Sequence, residues 1–146
     1  MLTERTKVLV KVTLPLIKKY GDAIATKTYD FLFIEYPQVK DLFANAPQNQ
    51  PQLIAKTILA YCEHVHNLAA LSSTLDKIAQ KHVTIGIRPE YYPMFGNSLL
   101  KAMKAVLEES ITEEVIQAWK EAFFVLANVL IEREKELYRQ QQNQNY

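Results

Sequence analysis

Cysteine and glycine are scarce in this 146-residue chain, which contains one cysteine, Cys62, and three glycines. A single thiol cannot form an internal disulfide, and it cannot build a cysteine-based zinc or iron–sulfur site. Glycine usually makes up ~7% of a protein, so its scarcity here disfavours both a β-rich fold with many tight turns and a Gly-rich phosphate-binding loop. These absences leave helices and histidine as the means of holding a metal.

An excess of charge of either sign is also missing, as are long apolar runs. Lys and Arg number 17 and Asp and Glu 16, so the net charge of +1 gives no basic footprint for nucleic acid. Residues 8–17 are rich in apolar side chains, but Lys11 and Pro15 interrupt them, and no window approaches the ~18 residues of a membrane span. The N-terminus does not resemble a signal peptide. We therefore expect a cytoplasmic protein without a membrane span or a nucleic-acid partner.

Apolar residues recur at helical spacing along almost the whole chain, and no segment alternates convincingly with a period of two. The length fits one domain, which can bury a core without disulfides. We predict an all-α fold of about six main helices plus short turns. Residues 1–139 would form the domain, and the Gln- and Asn-rich residues 140–146 would form a polar, disordered tail.

Caps and breakers predict where these helices begin and end. Pro15 should bend the first helix, Pro37 should end the second, and Val39 to Phe43 should form a short helical turn. The predicted helices run from Thr3 to Gly21, from Asp22 to Tyr36, from Pro51 to Leu68, from Ser72 or Ser73 to Gly86, from Pro89 to Leu107, and from a capping box at Ser110–Glu113 towards the tail.

Five polar side chains fall on, or beside, the predicted buried faces, where an unpartnered polar group is costly. His82 is either a core histidine bonded to the backbone or a ligand. Glu134 either reaches solvent at the edge of its helix face or is a buried acceptor that needs a donor. Tyr29 and Tyr92 are either ordinary core residues or hydroxyls with a task. Gln50, beside Pro51, is either a cap-region side chain or part of the same pocket.

Together these residues indicate an apolar, aromatic pocket between helices, which a single imidazole faces beside several hydroxyl and amide groups. Such a pocket suits a flat apolar cofactor with a metal centre, and one neutral histidine suits haem iron. It does not suit zinc, which needs three or four protein ligands. Cys62 lacks the C-x-x-C-H attachment pattern, so we expect a b-type haem that acid extraction removes.

Several short motifs occur in an order that covers nearly the whole chain. They are Tyr29-Asp30-Phe31-Leu32-Phe33, Tyr36-Pro37, Leu42-Phe43, Gln50-Pro51, Lys81-His82, Tyr91-Tyr92-Pro93, Ala118-Trp119, Glu134, and Glu136-Leu137-Tyr138. Each motif is weak alone, whereas the ordered set is specific. The sequence resembles the bacterial single-domain globins of the flavohaemoglobin lineage, and this resemblance implies a globin fold around a haem pocket.

The resemblance also implies roles for matching residues. His82 would ligate iron, and Phe43, Ile54, Lys81, His82 and Tyr92 would bind the cofactor, with Lys81 meeting a haem propionate. Tyr29, Gln50, Tyr92 and Glu134 would be the catalytic residues. Tyr29 and Gln50 would surround the bound gas beside Ile54, while Tyr92 and Glu134 would hold the other ring nitrogen of His82.

Two functional classes follow from the resemblance, and the sequence leaves open whether the chain is an enzyme. The first is reversible oxygen binding for storage or delivery, accompanied by nitric oxide detoxification. The alternative is nitric oxide dioxygenase activity as the main role. The chain contains no G-x-G-x-x-G motif and no room for a reductase domain, so a separate reductase would supply electrons. The expected partners are oxygen, nitric oxide and other diatomic gases, and the expected state is a monomer or homodimer.

Two further alternatives are less well supported by the sequence. A gas sensor is disfavoured because no output domain follows the last predicted helix. A haem-free helical interaction module would lack the strong Soret absorption band that haem produces.

Overall fold

The computed structural model describes residues 2–144, and the side chains of residues 2–143. Helices make up almost all of this part of the chain, and no strand occurs in it. The α-helices are α1 (Glu4–Lys11), α2 (Leu14–Glu35), α3 (Gln50–Glu63), α4 (Ser72–Ile85), α5 (Tyr91–Leu107) and α6 (Glu113–Gln144). Short 3₁₀ helices span Pro37–Phe43, Leu68–Leu71 and Glu108–Ser110. The predicted all-α fold class is confirmed.

The helices form two groups, one packed around α2 and the other around α6, and α5 contacts both central helices. Helix α2 packs against α3 and α5, while α1, α4 and α5 pack against α6. The main core lies between these groups and includes the fully buried Ile17, Ile24, Met103 and Trp119. A second cluster of buried residues surrounds Tyr29 near the 3₁₀ helix Pro37–Phe43. None of the described helices is both long enough and apolar enough to span a membrane.

The break between the first two helices lies at Val12 and Thr13, so the predicted stop at Gly21 and the predicted cap at Asp22 are wrong. Pro15 lies in the first turn of α2, which begins at Leu14, and does not bend a longer helix, because a proline near a helix start gives up no intrahelical hydrogen bond. The buried Thr13 hydroxyl donates to the Val10 carbonyl oxygen at 2.6 Å and accepts from Nε1 of Trp119 at 3.1 Å. These bonds tie the break to α6.

Gly21 lies inside α2, where that helix passes close to α3. A Cβ added there would lie 3.7 Å from Cβ of Ala55, which is ordinary contact. Its lack of a side chain therefore does not end the helix, because the apolar face of α2 continues through Ile24 and Leu32. Gly86, in contrast, ends α4 as predicted, with a left-handed φ of 84° and a hydrogen bond from the Ile87 amide to the His82 carbonyl oxygen at 2.9 Å.

Other predicted helix ends also shift. Thr112, not Ser110, caps α6, because its hydroxyl accepts from the Val115 amide at 3.2 Å. Neither Ser72 nor Ser73 caps α4, which begins one residue after Leu71 without a side-chain cap. Helix α3 ends at Glu63, before Leu68, and α5 begins at Tyr91, after Pro89.

The C-terminal residues continue the last helix. Helix α6 extends to Gln144, and residues 140–143 are exposed on it. Asn145 and Tyr146, which belong to the predicted tail, lie outside the described residues. The boundary at residue 139 between a domain and a tail stays a prediction.

Candidate functional site

His82 is held from α4 by two groups on neighbouring helices. Its Nδ1 lies 3.0 Å from Oε2 of Glu134 on α6 and 3.0 Å from the hydroxyl oxygen of Tyr92 on α5. The Tyr92 hydroxyl itself donates to Glu134, at 2.7 Å to Oε2 and 2.9 Å to Oε1. Three helices thus meet at one hydrogen-bonded cluster, which we call the proximal triad (His82, Tyr92 and Glu134).

This arrangement determines which nitrogen of His82 carries the proton. An ionised carboxylate only accepts hydrogen bonds, and the single Tyr92 proton is already directed at Glu134. Nδ1 of His82 must therefore be the donor in the triad, which leaves the lone pair of the neutral ring on Nε2. A lone pair on Nε2 is what an iron ligand requires.

Burial distinguishes the alternatives left open for Glu134 and Tyr92. Glu134 is only 3% exposed, so it does not reach solvent at the edge of α6. Burial raises the pKa of Tyr92 well above its usual value, and the hydrogen bond and the negative charge of Glu134 raise it further. Tyr92 therefore stays protonated and remains a donor to the carboxylate.

A second polar pair lies in the cluster around Tyr29. Nε2 of Gln50, at the start of α3, donates to the hydroxyl oxygen of Tyr29 at 3.1 Å. Tyr29 is 6% exposed, and burial raises the pKa of Tyr29 to about 12, although the hydrogen bond from Gln50 partly lowers it. Because the Tyr29 oxygen accepts from Gln50, its own proton is available to another acceptor. We call these two residues the distal pair.

Aromatic rings surround the distal pair. Phe43 packs edge-on against Tyr29 with ring centroids 5.3 Å apart, and Phe95 does the same at 6.0 Å. Ile54, one turn along α3 from Gln50, packs against the same cluster. The side chain of Gln50 therefore belongs to this cluster through its hydrogen bond to Tyr29. Its Oε1 atom is buried without a hydrogen-bond partner among the described residues, which leaves it free to accept from a small molecule.

Among the residues that the structure describes, Lys81 and Cys62 make no hydrogen bond to the proximal triad or the distal pair. Lys81 is exposed on α4 beside His82, and its predicted contact with a haem propionate stays a prediction. Cys62 is fully buried between Thr13 and the Val10 carbonyl oxygen. Burial raises the pKa of the Cys62 thiol, so it remains in the unreactive form.

Two residues to which the sequence analysis gave no role contribute to the site. The Tyr138 hydroxyl donates to the Ile87 carbonyl oxygen at 2.7 Å and so ties α6 to the corner that follows α4. Phe95, which the sequence analysis did not single out, contacts Tyr29 from α5. The spacing of Tyr138 four residues after Glu134 was the available signal, because both fall on one face of α6.

Comparisons with known proteins agree with this geometry. The sequence profile of the globin family matches residues 26–130, and the chain belongs to this family. More particularly, its relatives place it in the flavohaemoglobin lineage. It is 41% identical over 140 residues to an uncharacterized globin-like protein of Aquifex aeolicus, with 96% of this chain and 99% of that protein covered.

A longer relative and a solved structure extend this result. A flavohemoprotein of Halalkalibacterium halodurans is 37% identical over 142 residues, which cover 95% of this chain and 34% of the flavohemoprotein. This chain thus spans about a third of the length of that relative. An engineered carbene transferase, derived from a proposed nitric oxide dioxygenase of Rhodothermus marinus, superposes with a TM-score of 0.92 at 33% identity, covering 95% and 97% of the two chains.

Membership of the globin family implies a haem cofactor, and the residues present fit one. The proximal triad offers a single nitrogen ligand at Nε2 of His82, and no group of three or more His, Cys, Asp or Glu residues in residues 2–143 could hold a bare metal ion. Iron carried by a porphyrin needs only such a single ligand from one side. The aromatic rings around Tyr29 and the free proton of its hydroxyl group suit a small gas molecule, which can only accept a hydrogen bond.

Proposed function

We propose that the protein binds a b-type haem through Nε2 of His82 and reversibly binds oxygen for storage or delivery, with nitric oxide detoxification as an accompanying activity. The observation that carries this proposal is the donor role of His82 Nδ1 in the proximal triad, which leaves Nε2 unprotonated. Haem, when bound, supplies an iron that binds diatomic gases and exchanges one electron. Phe43 and Ile54 would contact the cofactor, and Lys81 would meet a propionate.

Each polar residue of the site has a task in this proposal. Glu134 accepts the Nδ1 proton and makes the imidazole more electron-rich, as carboxylates behind histidine ligands do, while Tyr92 fixes the carboxylate. Tyr29 directs its proton towards the gas, and Gln50 orients Tyr29 through their hydrogen bond. The buried Cys62 thiol is engaged elsewhere, which supports a haem without a covalent link to the chain.

Nitric oxide dioxygenase activity as the main role is the second candidate, and the buried Glu134 favours it. In this reaction nitric oxide and oxygen would combine to nitrate with one electron that the haem would supply, so each turnover would need one electron from a donor. An electron-rich proximal ligand suits such chemistry. A separate reductase would be the donor, and we propose that the globin acts in the cytoplasm as a monomer or homodimer.

Optical spectroscopy tests the proposal and separates the two candidates. A strong Soret band that acid extraction removes is the expected result, and a purified protein without this band would overturn haem binding. The oxygenated protein is then mixed with nitric oxide, with and without a cellular reductase. Steady consumption with the reductase favours the dioxygenase, and one stoichiometric burst followed by arrest favours oxygen binding.

A further inference from the structure

A cavity of about 280 Å³ separates the start of α4 from α6. The walls of this cavity are mostly aliphatic and come from α3, the 3₁₀ helix Leu68–Leu71, α4 and α6. Its lining includes Leu68, Leu71, Leu75, Val125, Leu126 and Val129. Atoms that face a void lose packing contacts on that side. Apolar packing by itself would therefore hold the first turns of α4 only weakly against α6.

Arg133 of α6 bridges the two helices at this cavity. Its Nη1 donates to the Ser72 carbonyl oxygen at 2.9 Å and to Oδ1 of Asp76 at 2.6 Å, and its Nη2 lies 3.3 Å from the Ser72 hydroxyl. Its side chain is 29% exposed and also lines the cavity. A planar guanidinium with several donors can hold such a set of acceptors in one geometry, which an ammonium cannot.

Glu134 follows Arg133 on α6 and accepts a hydrogen bond from His82. His82 lies on α4, the helix that also carries Asp76. Asp76 and His82 are six residues apart, or about 9 Å along the helix axis. Tyr138 ties the far end of α4 to α6 through the Ile87 carbonyl oxygen. Helix α6 therefore holds α4 near both ends, and a movement of either end would change how the His82 ring meets Glu134.

We propose that Arg133 is a positioning residue for His82, because it fixes the start of α4 across a cavity that packing leaves open. This inference rests on the proposed function, since it assumes that His82 ligates the haem iron. Arg133 touches neither the cofactor nor the gas in this proposal. It acts through the orientation of α4, and so through the hydrogen bond between His82 and Glu134.

The test compares Arg133→Gln with Arg139→Gln, a matched control on the same helix. Arg139 pairs with Glu136 of α6 and makes no bond to α4. In the haem-free protein, we expect α4 amides to exchange with solvent about tenfold faster in Arg133→Gln, as the loss of a charge-assisted hydrogen bond predicts. In the ferrous, gas-free holoprotein, we expect a shifted and broadened iron–histidine stretching band. Arg139→Gln should leave both readouts unchanged.

Further variants keep the proposal falsifiable. Arg133→Lys retains the positive charge but loses the planar set of donors of the guanidinium. Its stretching band should therefore lie between the bands of the parent protein and Arg133→Gln. Asp76→Asn removes the carboxylate and keeps the two Ser72 bonds, and it replaces Arg133→Gln if that variant does not fold. A lower melting temperature with an unchanged stretching band would show a merely structural role and overturn the proposal.

The two readouts also separate this inference from the proposed function. If no Soret band forms, haem binding fails, and amide exchange in the haem-free protein still decides whether Arg133 holds α4. If haem and oxygen bind normally but Arg133→Gln behaves like Arg139→Gln in both readouts, the proposed function stands and the positioning role of Arg133 is wrong.

Discussion

The hydrogen bond from Gln50 to Tyr29 leaves the Tyr29 proton free for an acceptor in the distal pocket. A charge-assisted hydrogen bond contributes roughly 1.5–3 kcal/mol. Tyr29→Phe should therefore raise the oxygen off-rate roughly 10- to 100-fold, as stopped-flow displacement of oxygen would measure. Tyr36→Phe is a suitable control, because the Tyr36 hydroxyl accepts from Asn97 at the surface. An off-rate unchanged by Tyr29→Phe would remove this residue from the mechanism.

Burial of Tyr29 should also make the stability of the folded protein depend on pH. Its pKa of about 12 in the folded protein exceeds the ordinary value of 10.0. The folded state therefore binds more protons than the unfolded state between about pH 10 and pH 12, and stability falls with rising pH in that window. In the haem-free protein, Tyr29→Phe should flatten this fall by about 2–3 kcal/mol. Urea titrations at pH 9 to 12 measure the free energy of unfolding. An equal fall of this free energy with pH in both proteins would contradict the prediction.

Glu134 makes a prediction about the bond between His82 and iron. In Glu134→Gln, a neutral amide replaces the carboxylate that accepts from Nδ1, so the ring donates less electron density. We expect a lower iron–histidine stretching frequency in the resonance Raman spectrum and haem affinity reduced roughly 10- to 100-fold. Glu136→Gln, an exposed change on the same helix, is the control. An unchanged frequency in Glu134→Gln would disprove the proposed role of the carboxylate.

At the scale of helices, two glycines have opposite packing environments. A Cβ at Gly96 of α5 would lie 2.6 Å from Cε1 of the buried Phe123 ring, whereas a Cβ at Gly21 of α2 meets nothing closer than 3.7 Å. Alanine in a helix interior is favoured over glycine by about 1 kcal/mol. Gly21→Ala should therefore stabilise the protein by about 0.5–1 kcal/mol. Gly96→Ala should destabilise it by about 1–2 kcal/mol, because overpacking exceeds the helical gain.

Chemical denaturation of both glycine variants measures this difference. The two substitutions are chemically identical and both lie inside helices, so each serves as the control for the other. Stabilisation by both would mean that the Phe123 ring moves aside at little cost, which would contradict the close packing of α5 on α6.

The sequence predicted the kind of element better than the element ends. Helical spacing alone indicates the all-α fold and places His82 on the apolar face of its helix, but it leaves open whether Glu134 is buried or reaches solvent. The end of the first helix was wrong because local signals rank Gly21 above Thr13, whereas the buried bond between Thr13 and Trp119 involves residues 106 positions apart. Likewise, the hydrogen bond from Tyr92 to Glu134 and the contacts of Arg133 depend on packing between helices, which no local pattern encodes.

Haem binding should dominate the stability of the whole molecule. Part of the inward surface would line the cofactor and not other side chains, so the haem-free protein loses contacts on both sides of that pocket. Ligand bound only by the folded state adds about 4 kcal/mol at a thousandfold excess over its dissociation constant. We expect a markedly lower melting temperature after haem extraction, restored by adding haem back. Equal melting temperatures for the two forms would argue against a haem that packs within the fold.

Trp119 lies on α6, the helix that also carries Glu134, and it is the sole tryptophan of the chain. It is 2% exposed, and its ring nitrogen donates to Thr13 at the break between α1 and α2. The indole emission of the native protein therefore comes from one defined, dry environment. Haem inside the same fold would quench this light by energy transfer, and unfolding would shift it to longer wavelength. The protein thus carries an intrinsic fluorescent gauge that can follow cofactor loading and unfolding without any added label.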